Sequence, residues 1–97
     1  MDINQFESEV ESGLVMVDVW APWCGPCRTL TPLIEKVSEE TGVKLLKVNA
    51  DDSQQLASSL GVRGIPTVIF FKDGEAQERI VGLKDTNSYL EVINKLK

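Results

Sequence analysis

The stretch Leu14–Ala21, LVMVDVWA, is apolar at seven of its eight positions. A run this short and this apolar reads as a β-strand covered on both faces, because an exposed face would show alternation. Covering both faces requires further elements above and below, which restricts the chain to a layered architecture.

The flanking segments supply those layers. Ile3, Phe6 and Val10 recur at helical spacing, and Gly13 stands where a helix would stop, which predicts a short first helix. Beyond the strand, Leu30, Leu33, Ile34 and Val37 follow an i, i+3, i+4, i+7 pattern with Gly42 as a natural stop. Pro32 falls inside this long helix, where it removes a hydrogen bond and is expected to kink the axis. Val43–Ala50 predicts a second strand, and Asp51–Gly61 a short helix with Asp52 as its cap, Gln55 three residues on and Gly61 closing it. Such a βαβ unit gives parallel strands joined by a right-handed crossover.

Thr67–Phe71 and Ala76–Gly82 flank Lys72-Asp73-Gly74, a strong hairpin signal. Asp85–Lys97 closes the chain as a capped helix that is expected to bury Leu90 and Ile93 together with Tyr89 and Leu96. The sum is an α/β sandwich of three layers, with helices on both faces of a mixed sheet. With 97 residues and no repeats or linkers, the chain is expected to be one domain over residues 1–97 with one core.

Charge and composition narrow the chemistry. Ten Lys and Arg against fifteen Asp and Glu leave a net charge of −5, which disfavours nucleic acid as a partner. No apolar run approaches the roughly 18 residues of a membrane helix and no basic leader precedes an apolar one, so no membrane partner and an intracellular location are expected. Two cysteines and no histidine remove the imidazole that a Cys/His nucleophile, a Ser/His/Asp triad or a Cys2His2 zinc site needs.

Both cysteines lie in WAPWCGPCRTL, residues 20–30. If Cys24 caps the long helix, the free N–H groups of the first turn point at its sulfur. Pro26 costs nothing there, and the N–H of Cys27 becomes the donor to Cys24. That hydrogen bond and the helix end favour thiolate over thiol, so the Cys24 pKa is expected below that of a free cysteine. The i, i+3 spacing also brings the two Cα atoms within disulfide range.

Cys27, further into the helix, is expected to be less accessible and to act second. Cys24 would attack a substrate disulfide, and Cys27 would then attack Cys24 to release the substrate. The competing readings are a structural disulfide, which would close too small a loop to stabilise much, and a metal site, which would need two more ligands; no metal is expected.

WCGPC after an apolar strand with an internal aspartate, followed in order by GIPT, FKDGE and VG, resembles the thioredoxin family over nearly the whole chain. The resemblance implies the thioredoxin fold and a cytoplasmic dithiol–disulfide oxidoreductase that reduces protein disulfides. It implies that no cofactor is bound, and that electrons arrive from NADPH through a thioredoxin reductase.

Several residues acquire roles from the resemblance. Asp18 matches the family's buried aspartate, and an acid inside an apolar strand independently invites a raised pKa suited to exchanging a proton with Cys27. Lys47 matches a lysine that approaches this aspartate. Ile65 and Pro66 match a loop facing the sulfurs, with a cis bond before the proline and the backbone of Ile65 offered to a substrate strand. Trp23, Val81 and Gly82, with Gly25 and Pro26 between the sulfurs, would complete a docking platform. Trp20 would support the active-site loop from beneath.

Two departures stand out. Arg28 takes a position where many relatives carry lysine. The family's first strand is missing or vestigial, which predicts a sheet of about four strands and an open edge along Val43–Ala50. Lys44 and Lys47 are expected to guard that edge and keep the chain monomeric. Two other functions fit the same fold: an oxidase or isomerase, and a binding subunit of a larger assembly that does not use its thiols.

Overall fold

The computed structural model describes every residue from Met1 to Lys97. Its elements run α1 (Ile3–Val10), β1 (Leu14–Trp20), α2 (Gly25–Thr41), β2 (Lys44–Asn49), α3 (Gln54–Ser59), β3 (Thr67–Lys72), β4 (Glu75–Val81) and α4 (Thr86–Leu96). The four strands form one sheet in the order β2-β1-β3-β4. β1 runs parallel to β2 and antiparallel to β3, and β3 and β4 form the hairpin.

The apolar run of β1 is buried along Val15–Val19, as a central strand demands. Its side chains alternate between two cores, because successive residues of a strand face opposite sides. Val15, Val17 and Val19 pack with Phe6 and Val10 of α1 and with Leu56 and Ala57 of α3. Met16 packs on the other side with Leu30, Ile34 and Val37 of α2 and with Tyr89, Val92 and Ile93 of α4. The single core expected from chain length is therefore divided by the sheet into two apolar layers.

Local signals account for most boundaries. Asp2 accepts from the N–H of Gln5 while the Gln5 side chain accepts from the N–H of Asp2, a capping box that starts α1. Gly42 ends α2 at φ 76°, and its N–H donates to Ser38 O. Asp73 and Gly74 both have positive φ, as a tight hairpin turn requires, and Asp73 Oδ1 also accepts from the N–H of Gly13. Pro32 lies on the exposed side of α2, inside the helix as expected.

Three details differ from the sequence reading. α3 starts after Ser53 instead of Asp52, and the Ser53 hydroxyl accepts from the terminal ammonium of Met1 at 2.9 Å and makes no capping bond to the helix. In α4 the buried residues are Tyr89, Val92 and Ile93, whereas Leu90 and Leu96 are half-buried at its flanks. β2 is indeed an edge strand, but its lysines do not stand free along it. Being three residues apart they face opposite sides, and Lys44 is tied to Glu9 of α1 at 2.7 Å and Lys47 to Glu35 of α2 at 3.2 Å.

Candidate active site

The site is built where β1 gives way to α2. Cys24 is the N-cap of α2 with extended backbone (φ −89°, ψ 110°), and its Sγ accepts from the N–H of Cys27 at 3.2 Å. Gly25 and Pro26 fill the first helical positions, both exposed, so the proline's missing N–H leaves no vacancy. Cys24 and Cys27 are joined as a disulfide with a Cα–Cα separation of 5.3 Å. Cys24 keeps 5% of its surface exposed and Cys27 only 1%, the order of access expected from the spacing.

The loop before the cysteines is tied down by contacts that local sequence patterns do not announce. Arg28 donates from Nη1 to Pro22 O at 2.9 Å, closing the loop onto the first turn of α2. Trp23 is 68% exposed, and its Nε1 donates to Asp51 Oδ1 at 3.2 Å. Asp51 lies just beyond β2, and no local pattern could have linked it to a tryptophan so far away in the chain. Trp20 packs beneath, against the cluster of Ala21, Cys24 and Cys27.

Ile65 joins that same cluster. The Ile65–Pro66 bond is cis, and Pro66 O accepts from the N–H of Gly82 at 2.8 Å, which ties the loop to the end of β4. Neither the N–H nor the C=O of Ile65, a half-buried residue, enters a backbone hydrogen bond. Val81, 54% exposed, stands beside the loop, where any side chain at position 64 would meet it in ordinary van der Waals contact. The structure thus gathers Cys24, Cys27 and Ile65 around Ala21 and Trp20, with Pro66 buried next in the chain and Trp23 and Val81 exposed.

Asp18 sits on the face of β1 that carries Met16, toward α2 and α4. It is fully buried, and neither carboxylate oxygen has a hydrogen-bond partner. Burial pushes its pKa up to about 6; the Lys47 ammonium opposes that shift and the Glu35 carboxylate adds to it. Lys47 is the direct register partner of Asp18, yet its Nζ bonds Glu35 Oε2 at 3.2 Å instead. The expected approach of Lys47 to Asp18 is therefore electrostatic, without contact. Glu35 was not a candidate from sequence, since nothing local marks it among the charged residues of α2.

A disulfide at a helix N-terminus beside an exposed apolar rim can exchange thiols for a disulfide, and a buried acid with a raised pKa on the strand leading into it can hold a proton. Comparison with known proteins points the same way. A model of the family described as Thioredoxin matches residues 1–95. A thioredoxin of Rickettsia bellii is 52% identical over 95 residues, covering 94% of this chain and 90% of that protein. One from Bacillus subtilis is 41% identical, with 95% and 90% covered. A solved mutant thioredoxin from Halobacterium salinarum superposes with a TM-score of 0.92 at 36% identity, over 99% of this chain and 86% of that one.

Proposed function

The chain belongs to the thioredoxin family, and from that premise we propose how its residues divide the work of exchanging electrons with protein disulfides. It is a dithiol–disulfide oxidoreductase whose redox group is the Cys24–Cys27 pair; thioredoxins need no bound cofactor.

In the reduced protein the Cys24 thiolate attacks one sulfur of a substrate disulfide. A Cys24–substrate bond forms, and the other substrate sulfur leaves as a thiolate. Cys27 then gives its proton to Asp18 and attacks Cys24 Sγ, expelling the second substrate thiolate. Two electrons pass from the dithiol to the substrate, and the chain is left as the disulfide. Holding Cys27 one turn away makes the second step intramolecular and keeps the mixed disulfide short-lived.

Ile65 pairs the substrate backbone, while Trp23, Gly25, Pro26, Val81 and Gly82 form the surface it lies on and the buried Pro66 sets the turn that presents Ile65. The unpaired backbone groups of Ile65 and the exposure of Trp23 and Val81 support this reading. Lys47 acts on Asp18 through its charge alone.

The reductant is a thioredoxin reductase drawing on NADPH, the working place is the cytoplasm, and the chain acts as a monomer. Bacterial relatives that bear the name thioredoxin support the first two, and no helix is long and apolar enough to cross a membrane. NADPH oxidation that requires this chain, a bacterial thioredoxin reductase and a disulfide-bonded protein together would bear this out. No NADPH oxidation in that mixture would count against it.

The observation that carries the proposal is the Cys24 sulfur at the start of α2, bonded to Cys27 and receiving its N–H. A redox titration followed by the fluorescence of Trp20, which packs on the disulfide, tests it. A midpoint near the family's known value of about −270 mV identifies a reductant, whereas one above about −200 mV would make the chain an oxidant or isomerase.

A further inference from the structure

Asp18 and Lys47 are direct partners in the parallel register of β1 and β2, so their side chains leave the same face of the sheet. The contact that this arrangement invites is not made. Lys47 Nζ lies 3.2 Å from Glu35 Oε2, and both oxygens of Asp18 remain without a partner. One cation stands between two carboxylates, and the one at the surface holds it.

We infer that Glu35 is a positioning residue, which keeps the Lys47 ammonium at the rim of α2 and out of contact with Asp18, so that the buried carboxyl stays unpaired and able to carry the Cys27 proton. The inference rests on the proposed role of Asp18 toward Cys27.

The reason for the preference is desolvation. Lys47 and Glu35 keep 43% and 49% of their side-chain surface exposed, so they pair without leaving water. Pairing with Asp18 would draw the ammonium inward, at a cost that only close geometry can recover. The surface pair adds little stability itself. Its consequence is where it leaves the positive charge.

The groups facing Asp18 are few. β2 contributes Lys47, α2 contributes Glu35, α4 contributes Tyr89, and β3 contributes only Val68 as the register partner. Arg28 shares a cavity of about 310 Å³ with Lys47 and Trp20, but its guanidinium is engaged by Pro22 O. Lys47 is thus the one mobile cation that could reach Asp18, and Glu35 is its tether.

Removing the Glu35 charge acts twice in the same direction. It relieves the repulsion that Glu35 exerts on an ionised Asp18, and it releases Lys47 to pair with that carboxylate. The test is a titration of the Asp18 carboxyl carbon by NMR in the oxidised protein. Glu35→Gln is expected to lower the Asp18 midpoint by about one pH unit or more, the usual effect of an opposite charge brought close. Glu35→Asp, which keeps the charge, is expected to restore most of it.

In a Lys47→Met background the same Glu35→Gln change is expected to move the midpoint much less, since only the direct repulsion is then lost. An unmoved midpoint in Glu35→Gln, or an equal shift in both backgrounds, would overturn the inference. The parent reading is checked separately by the pH profile of mixed-disulfide resolution. If Asp18→Asn leaves that profile unchanged, the proton role of Asp18 is overturned, while the NMR titration still decides whether Glu35 holds Lys47.

Discussion

Asp18 carries the largest single electrostatic cost at the residue scale. Its carboxyl titrates near 6 in the folded chain against an ordinary value of 3.8, so between those values the folded state binds more protons than the unfolded one. Stability contributed by the neutral acid is full below about pH 4 and is lost as pH rises through about 6. At 1.36 kcal/mol per pH unit the loss is on the order of 3 kcal/mol. Asp18→Asn is therefore expected to gain on the wild type by that order between pH 4 and pH 8, read from urea midpoints at each pH. The amide has buried polar atoms of its own to satisfy at every pH, so the change of the difference with pH is the diagnostic. The cysteines give the second prediction at this scale. Cys24→Ser is expected to abolish disulfide reduction, whereas Cys27→Ser should accumulate a mixed disulfide with substrate, visible by mass spectrometry as the sum of the two masses.

Among the elements, α1 depends most visibly on a single side chain. Phe6 is 4% exposed and meets Phe71 of β3 edge to face, with ring centroids 5.3 Å apart. The helix has only eight residues, too few to persist without packing, so its place over the sheet rests on Phe6 and Val10. Phe6→Ala is expected to cost about 3–5 kcal/mol in chemical denaturation, at the upper end if α1 detaches. A cost under about 1 kcal/mol would mean that α1 contributes little. α2 presents the opposite case. Its seventeen residues bury three apolar side chains, Leu30, Ile34 and Val37, beyond the first turn and end on an αL stop at Gly42, so its start can be given over to the reactive sulfur.

The whole molecule is held by two cores that the sheet separates, and neither includes the disulfide, which lies in a small third cluster at the end of the sheet. The disulfide bridges residues only three apart, so it removes little freedom from the unfolded chain. Reduction is therefore expected to lower stability by no more than about 2 kcal/mol and to leave far-ultraviolet circular dichroism unchanged. Unfolding on addition of dithiothreitol would contradict this. A redox protein requires that independence, because both states must present the same docking surface.

The sequence by itself determined the elements and the thiol chemistry. The buried run of β1, the helical stripes, the capping signals and the Asp-Gly turn are all properties of neighbouring residues, and local geometry realises them wherever the chain lies. The placement of Cys24 as a cap of α2, with Cys27 donating to it, follows from the same short range, and so does the burial of Asp18 within an apolar strand. Tertiary structure decided what depends on register and on contacts between distant segments. α3 begins one residue later than the local signals predict, with Ser53 at its cap position, and the Ser53 hydroxyl accepts from Met1, fifty-two residues away in the chain. Val92 is buried in the core shared by α2, α4 and the sheet, while Leu90 packs against its edge, a choice set by how α4 lies on the sheet. Lys47 and Glu35 pair across an interface between β2 and α2 that no local pattern encodes. Asp51 holds Trp23 for the same reason: a hydrogen bond between residues far apart in the chain exists only once the fold has brought them together, and the energy of that fold comes chiefly from other residues.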